Sequence, residues 1–184
     1  MTPIKYIRAD LFQLCSKPSK VAGPIILAHS CNCHGVWGGG IALEFKRRFP
    51  STYKIYQDRC AQFVSNPKEL LGTSLMIPVS MSDPGYLEGV GEKLIVLCLF
   101  TGMLEEESAQ QIVNSTALAL DDFKSSLVDR AMIFNQDARE IAPSDSSVVT
   151  LNMPKINAGI FNVPWEMTEK VLLESGLRCN VYIL

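Results

Sequence analysis

The sequence predicts an α/β fold in which helices flank a central sheet that is either largely parallel or mixed. Segments with strand and helix patterns alternate along the 184 residues, which is typical of this class. Residues 25–30 are apolar on both faces, as expected for a strand buried inside such a sheet. A chain of this length has material for one sizeable core, so we expect a single domain over residues 1–184.

The individual elements follow from local patterns. Apolar runs predict strands at 4–8, 25–30, 73–79, 93–100, 148–154 and 181–184. Helices are expected at 41–49, from a Ser51 cap to about 63, from 105 to about 123 or 127, and at 165–175. Pro50 ends the first helix, because proline cannot continue it, and the acids at 105–107 suit the first turn of the third. Residues 129–147 are polar, and we assign them no element.

The charge composition argues against a nucleic-acid ligand. Lys and Arg number 17 and Asp and Glu 19, so the net charge is −2, and no positive excess is present to attract a phosphate backbone. The N-terminal residues lack an apolar signal core, and no apolar run approaches the roughly 20 residues of a membrane span. We expect a soluble protein of the cytoplasm, or also of the nucleus, with a small-molecule ligand and no membrane partner.

The six cysteines lack the spacing of a disulfide framework, which suits reduced thiols inside a cell. Cys31 and Cys33, flanked by His29 and His34, could suggest a metal site. However, Cys-x-Cys is tighter than the usual zinc spacing, and no second cluster follows in the sequence. We expect neither a metal ion nor a cofactor.

The most informative segment, residues 24–49, joins a buried strand, a glycine-rich loop and an amphipathic helix. The glycines at 38–40 let the backbone approach a ligand closely, and a helix starting near Ile41 adds free amides and the positive end of its dipole. Ile41 and Ala42 stand where a Walker motif needs Lys and Ser or Thr, and Leu43 stands where the dinucleotide fingerprint needs glycine. The segment therefore predicts a phosphate-holding loop of neither type; the alternative is a tight structural turn.

A second loop of small residues, 157–163, also connects a strand to a helix, with Gly159 as its flexible element and Pro164 at the helix start. Ligands of open α/β sheets bind beyond the carboxyl ends of the strands. We therefore expect loops 30–42 and 157–163 at the same edge, where they could hold the two phosphates of a diphosphate. Phe161 would offer its ring to a sugar or, alternatively, fold back into the core.

Several motifs match one known family in order. They are Tyr6-Ile-Arg-Ala-Asp-Leu, His29-Ser-Cys-Asn-Cys, Trp37-Gly-Gly-Gly-Ile-Ala, Leu99-Phe-Thr, Pro154-Lys-Ile-Asn-Ala-Gly-Ile-Phe-Asn-Val-Pro-Trp and Val181-Tyr-Ile-Leu. With these motifs the chain resembles the macro domains, and more narrowly the fungal ADP-ribose 1''-phosphate phosphatases. The resemblance implies a three-layer α/β/α sandwich with a mixed sheet. It also implies a monomeric hydrolase that converts ADP-ribose 1''-phosphate, a metabolite of tRNA splicing, to ADP-ribose and phosphate.

The resemblance further implies which residues bind the substrate. Asp10, beside Ala9 and Leu11, accepts a hydrogen bond from the adenine amino group; its alternative role is an ordinary cap. The distal ribose is lined by Ser30, Cys31 and Asn32. The two loops hold the two phosphates, one by Trp37, Gly38, Gly39, Gly40, Ile41 and Ala42, and the other by Asn157, Ala158, Gly159, Ile160, Phe161, Asn162 and Val163.

The reaction type follows by elimination. No cysteine has an arginine at the spacing of the cysteine-dependent phosphatases, and no Asp-x-Asp motif occurs. The mechanism that remains is attack by water on a phosphate that backbone amides hold. We expect His29 to transfer the proton, because the unperturbed pKa of histidine is closest to neutrality, and Asn32 to orient the reactants. The alternative is a buried structural histidine, with the water activated by another group or by the substrate's own phosphate.

Two other functions are compatible with the same binding loops. Related macro domains that remove ADP-ribose from acidic side chains use a Lys after the central strand and an Asp in the last glycine loop. Thr101 or Gly102 and Phe161 stand at those positions here, so that covalent route is not supported. A non-catalytic ADP-ribose-binding domain is the other alternative.

Overall fold

The computed structural model of the protein describes residues 3–130 and 149–184. The strands in these ranges are β1 (Ile4–Arg8), β2 (Ile25–Asn32), β3 (Ser74–Pro78), β4 (Leu94–Gly102), β5 (Thr150–Met153) and β6 (Arg178–Ile183). The helices are α1 (Gly40–Arg48), α2 (Pro50–Gln62), α3 (Ala109–Arg130) and α4 (Trp165–Ser175), with short 3₁₀ helices at Leu11–Cys15, Pro67–Leu70 and Gly91–Lys93. In these ranges no helix is both long and apolar enough to cross a bilayer.

The strands form one mixed sheet in the order β1-β6-β5-β2-β4-β3. All neighbouring strands run parallel except β3, which pairs antiparallel with β4 at one edge. Every residue of β4 is buried, as expected for a strand that is covered on both faces. The predicted mixed sheet is confirmed.

Helices cover both faces of the sheet. On one face, α3 and α4 pack on an apolar cluster that includes Phe123 and Leu172. On the other face, α1, α2 and the 3₁₀ helix Leu11–Cys15 contribute Phe45, Tyr56 and Phe12 to a second cluster. The predicted three-layer sandwich is therefore confirmed.

The connections of β2 and β5 place a crevice at the carboxyl edge of the sheet. These two strands are parallel neighbours, but β2 leads to α1 on one face and β5 leads to α4 on the other. Adjacent strands whose connections leave toward opposite faces open a gap between their loops, and ligands bind there in open α/β sheets. Both loops predicted to hold phosphates follow these two strands.

Two predicted helix starts are wrong. Ser51 does not cap the second helix, which begins at Pro50; instead the amide and hydroxyl of Ser51 donate to Asp83, distant in sequence. The third helix begins at Ala109 rather than at residue 105. Ser108 and Gln111 form a capping box there, in which each side chain bonds to the other's amide.

Other boundaries differ by a few residues. The last strand begins at Arg178 instead of residue 181, because it pairs with β1 from Cys179 onward. The fourth strand extends to Gly102, beyond the predicted residue 100. Helix α3 continues to Arg130. Val148 and residues 131–147, which include most of the segment left unassigned, lie outside the described residues.

Candidate active site

A cavity of about 270 Å³ lies at the carboxyl edge of β2 and β5, between the two predicted loops. Among the residues predicted to form the site, those that line it are 29–32, 37–42, 157 and 159–161. The two loops approach each other closely, since a Cβ built on Gly39 would lie 3.7 Å from Cδ1 of Ile160. The structure thus brings together the two loops that we expected at one edge.

The glycine loop presents the start of α1 to this cavity. Gly40 adopts a φ of +57°, a conformation that costs glycine little and other residues much more. The first amides of a helix have no acceptor within the helix. No side chain caps α1, and its first turn carries no acidic residue. The amides and the positive end of the dipole therefore remain available to an anion.

The second loop offers another set of free amides. It is held by turn bonds from Val163 N to the carbonyl of Asn157 and from Asn162 N to the carbonyl of Gly159, both 2.9 Å. Asn157 and Asn162 have positive φ values of 65° and 54°. The three consecutive amides at 159–161 have no acceptor among the described residues. Because residues 159–161 also line the cavity, these amides are available to phosphate oxygens there.

Asn157 shapes this loop from inside the protein. Its side chain is 3% exposed; Oδ1 accepts from Thr101, and Nδ2 donates to Thr116 and, more weakly, Thr168. Its backbone amide donates to the hydroxyl of Ser30 in β2. The side chain of Asn157, predicted to bind substrate, instead joins strand β4 and helices α3 and α4 beneath the loop.

The position of Phe161 is compatible with both roles that the sequence left open. Its ring lines the cavity, yet it is half-buried and packs against a small cluster containing Ile112, Val113 and Val163. It also covers Gly102 so closely that a Cβ there would lie 2.6 Å from the ring. A side chain at position 102 would therefore displace the Phe161 ring, whereas glycine leaves the ring in place at the cavity wall.

The side chain of Asn32 forms hydrogen bonds with backbone groups of its own loop. Its Nδ2 donates to the carbonyl of Val36 at 2.7 Å, and its Oδ1 accepts from the amide of His34 at 2.9 Å. The hydroxyl of Tyr56 lies 2.9 Å from the same oxygen. Asn32 is predominantly buried, and it lines the cavity.

His29 lies beneath the glycine loop, with none of its surface exposed to solvent. Its ring stacks on Phe45, with ring centres 4.4 Å apart, and meets Trp37 edge-on at 4.8 Å. Burial lowers the pKa of His29 to about 3, so the ring is neutral near pH 7. A group of so low a pKa is a weak base, and the geometry favours the structural role over proton transfer.

The sulfur and nitrogen atoms of His29, Cys31 and Cys98 lie within 4.8 Å of one another. Soft metals prefer such ligands, but the sulfur of Cys31 is 3.7 Å from Nδ1 and 3.6 Å from Nε2. Nearly equal distances mean that neither ring nitrogen directs its lone pair at that sulfur. Burial also raises the pKa of the Cys31 thiol, which opposes the thiolate that a metal requires. All six cysteines are buried and free.

The residues predicted to bind adenine lie outside this cavity. Asp10 is exposed, and its Oδ1 accepts a hydrogen bond from the amide of Phe12 at 2.9 Å, so it caps the 3₁₀ helix that follows. Leu11 is buried under this turn. Ala9 instead lines a separate cavity of about 530 Å³ near Lys17 and Lys20 on one face of the sheet. Ala158, Asn162 and Val163 do not line the smaller cavity either.

The structure adds residues that were not predicted, namely Val36, Leu104, Pro154, Lys155 and Ile156. Leu104 has a φ of 60°, which is uncommon for a residue other than glycine and cannot be read from sequence. Lys155 carries the one formal positive charge among the described residues of the cavity wall, and it lies within the quoted motif that begins at Pro154. Its ammonium group is 6.0 Å from the Trp165 ring centre.

Comparison with known proteins agrees with this architecture. The macro domain family model matches residues 28–172. A Debaryomyces hansenii protein named ADP-ribose 1''-phosphate phosphatase is 45% identical over 98% of this chain and 99% of its own. A protein of the same name from Meyerozyma guilliermondii is 41% identical over the full length of both.

A solved structure supports the fold independently. The macrodomain of Mycobacterium tuberculosis DarG matches with a TM-score of 0.62 over 98% of this chain and 97% of its own. At 20% identity this likeness concerns the fold alone. The family model and the fungal relatives show, in agreement with this fold, that the chain belongs to the macro domain family.

Proposed function

We propose that this protein is a phosphatase that hydrolyses ADP-ribose 1''-phosphate to ADP-ribose and phosphate. The fungal relatives that carry this name match nearly the whole chain. The observation that carries the proposal is the pair of free amide sets, at the start of α1 and at residues 159–161, that face one cavity. Such amide sets bind phosphate oxygens, and Lys155 adds one positive charge to the same cavity wall.

The substrate would extend along the crevice between the loops. One phosphate of the diphosphate binds the amides of residues 38–42, and the other binds those of 159–161. The distal ribose lies against Phe161 and near Asn32. The adenine lies at the far end, toward Asp10, whose Oδ2 makes no hydrogen bond among the described residues and can accept one from the adenine amino group.

The reaction requires water to attack the 1''-phosphorus while the bond between phosphorus and the ribose oxygen breaks. The water loses a proton, the ribose oxygen gains one, and the products are ADP-ribose and inorganic phosphate. Since the pKa of His29 is about 3 and its ring is enclosed, we assign the proton transfer to the substrate's own phosphate oxygens. The protein contributes orientation, because the two amide sets hold the diphosphate and thereby position the 1''-phosphate for attack.

A non-catalytic ADP-ribose-binding role is the second candidate. The observation that favours it is the enclosure of His29: this residue is the one histidine of the described cavity wall, its ring has no exposed surface, and that wall carries no carboxylate. The binding loops would be unchanged in such a protein. Removal of ADP-ribose from proteins is the remaining alternative.

Product analysis separates these candidates. The pure protein is incubated with ADP-ribose 1''-phosphate, and phosphate and ADP-ribose are followed by chromatography. A phosphatase releases both in equal amounts, whereas a binding domain leaves the substrate intact. A parallel incubation with an ADP-ribosylated acidic peptide detects the third activity. Release of ADP-ribose from the peptide alone would contradict the proposal.

We also propose the wider setting that the sequence indicated. The protein acts as a single-domain monomer in the cytoplasm, or also in the nucleus, and clears the phosphorylated ADP-ribose produced by tRNA splicing. Neither nucleic acid nor a membrane is a partner. Size-exclusion chromatography with light scattering tests the monomer, and cell fractionation tests the compartment.

A further inference from the structure

Tyr56 of α2 connects the glycine loop to the sheet. Its side chain is fully buried, and its ring stacks between Trp37 and Phe100, with centre distances of 4.8 Å and 5.9 Å. The hydroxyl lies 2.8 Å from the backbone carbonyl oxygen of Asn32 and 2.9 Å from its side-chain Oδ1. Both acceptors of this hydroxyl therefore belong to one residue of the cavity wall.

The hydrogen bonds of Asn32 determine which atom it offers to a ligand. Its Oδ1 faces two donors, the His34 amide and the Tyr56 hydroxyl, and its Nδ2 faces an acceptor, the carbonyl of Val36. An amide oxygen has two lone pairs and an amide nitrogen two hydrogens. The His34 amide donates to Oδ1, the single proton of the Tyr56 hydroxyl is shared between Oδ1 and the backbone carbonyl of Asn32, and one N–H of Nδ2 remains. Rotating the amide by half a turn would set its N–H groups against the His34 amide and its oxygen against the Val36 carbonyl.

We propose that Tyr56 is a positioning residue: by holding Oδ1 of Asn32, it presents the remaining N–H of Asn32 to a substrate oxygen in the cavity. The inference rests on the proposed function, in which that oxygen belongs to the distal ribose. Asn32 then stabilises the substrate as a donor and takes no proton from water. Burial raises the pKa of the Tyr56 hydroxyl above its ordinary value, so it stays a donor near neutral pH.

Tyr56→Phe removes the hydroxyl and keeps the stacked ring. We expect kcat for phosphate release to fall about tenfold or more with little change in KM, because a donor aimed at developing charge acts mainly in the transition state. Tyr53→Phe is the matched control. Tyr53 lies one turn earlier in α2, also packs near Trp37, and donates to the carbonyl of Gly35 instead. The Tyr53→Phe variant should retain the kcat of the unaltered protein within about twofold.

A double variant shows whether Tyr56 acts through Asn32. In an Asn32→Ala background, Tyr56→Phe should change kcat less than about twofold, because the group that it positions is already absent. A loss of equal size in both backgrounds would mean that Tyr56 supports the loop in general, and it would overturn the inference.

NMR tests the same point without turnover. In the unaltered protein, saturating ADP-ribose should shift one of the two Nδ2 protons of Asn32, and Tyr56→Phe should change this pair of signals before any ligand is added. If no phosphate is released but the proton shifts, the phosphatase proposal fails and the positioning role stands. If Asn32 does not respond to ADP-ribose, the positioning role is wrong. This titration decides the question even if Tyr56→Phe does not fold.

Discussion

At the scale of single residues, the site depends on groups that are neutral and enclosed. His29 is held between aromatic rings with no exposed surface, and Asn157 is surrounded by threonine hydroxyls. Burial of a neutral polar group is tolerated when its hydrogen bonds are made and its charged form is avoided. The consequence for His29 is a measurable dependence of stability on pH.

Acid should destabilise the protein through His29. Burial lowers its pKa from 6.5 to about 3, so between these values the unfolded chain binds a proton that the folded chain does not. Stability then rises with pH through this window, and acidification from pH 6.5 to 5 costs about 2 kcal/mol from this group. Urea unfolding across this range measures the slope. His29→Gln should flatten it, whereas His34→Gln, at the chain's other histidine, should not. Equal slopes in all three proteins would contradict the assignment.

Asp10 has two separable roles, as a cap and as the proposed acceptor from adenine. Asp10→Asn retains an Oδ1 that can accept from Phe12 N, but its amide donors repel the adenine amino group. We expect ADP-ribose affinity to fall by about 1.5–3 kcal/mol in calorimetry, with stability nearly unchanged. Asp10→Ala should lose affinity and also the cap, worth about 1 kcal/mol. Unchanged affinity in both variants would leave Asp10 with the cap alone.

At the scale of elements, the two loops lie on either side of the cavity and, in the proposed function, together hold the ligand. One donor set belongs to the start of α1 on one face of the sheet, and the other precedes α4 on the opposite face. The side chain of Ile160, which is 70% exposed, lies across the gap near Gly39. A bulky side chain in this gap should therefore block the ligand without disturbing the core.

Gly39→Val tests this arrangement. Gly39 has an extended φ of −161°, and its Cβ would meet its neighbour at an ordinary 3.7 Å, so the variant should fold. The branched side chain would occupy the space of the phosphate oxygens, and both ADP-ribose binding and turnover should fall by about 100-fold or more. Gly39→Ala should lose less. Binding within about threefold of the parent would show that phosphate does not approach this backbone.

Asn157 should be the most sensitive position of the second loop. Asn157→Ala removes the partner of three threonine hydroxyls and leaves alanine at positive φ. We expect a loss of about 2–4 kcal/mol in the free energy of unfolding by urea. Asn162→Ala is the matched control, because Asn162 also has positive φ but is exposed; it should lose about 1 kcal/mol. Similar losses for both variants would mean that the buried network contributes little.

At the scale of the whole molecule, local patterns were sufficient to predict the layers of the fold and the two loops at one edge of the sheet. The strand at 25–30, which opens with four apolar residues, and the glycines at 38–40 can each be recognised within one segment. The prediction that Ser51 caps the second helix is wrong because its actual partner, Asp83, is remote in sequence. The inward side chain of Asn157 and the conformation of Leu104 depend on tertiary packing, so no local pattern could predict them.

The central claim is that backbone amides hold the diphosphate of the substrate and that the 1''-phosphate is hydrolysed without a metal ion. The most direct measurement is the initial rate of phosphate release from saturating ADP-ribose 1''-phosphate after extensive treatment with EDTA. The account predicts the same rate as in the untreated protein. Loss of phosphate release in EDTA, with recovery on adding back a divalent metal ion, would contradict it.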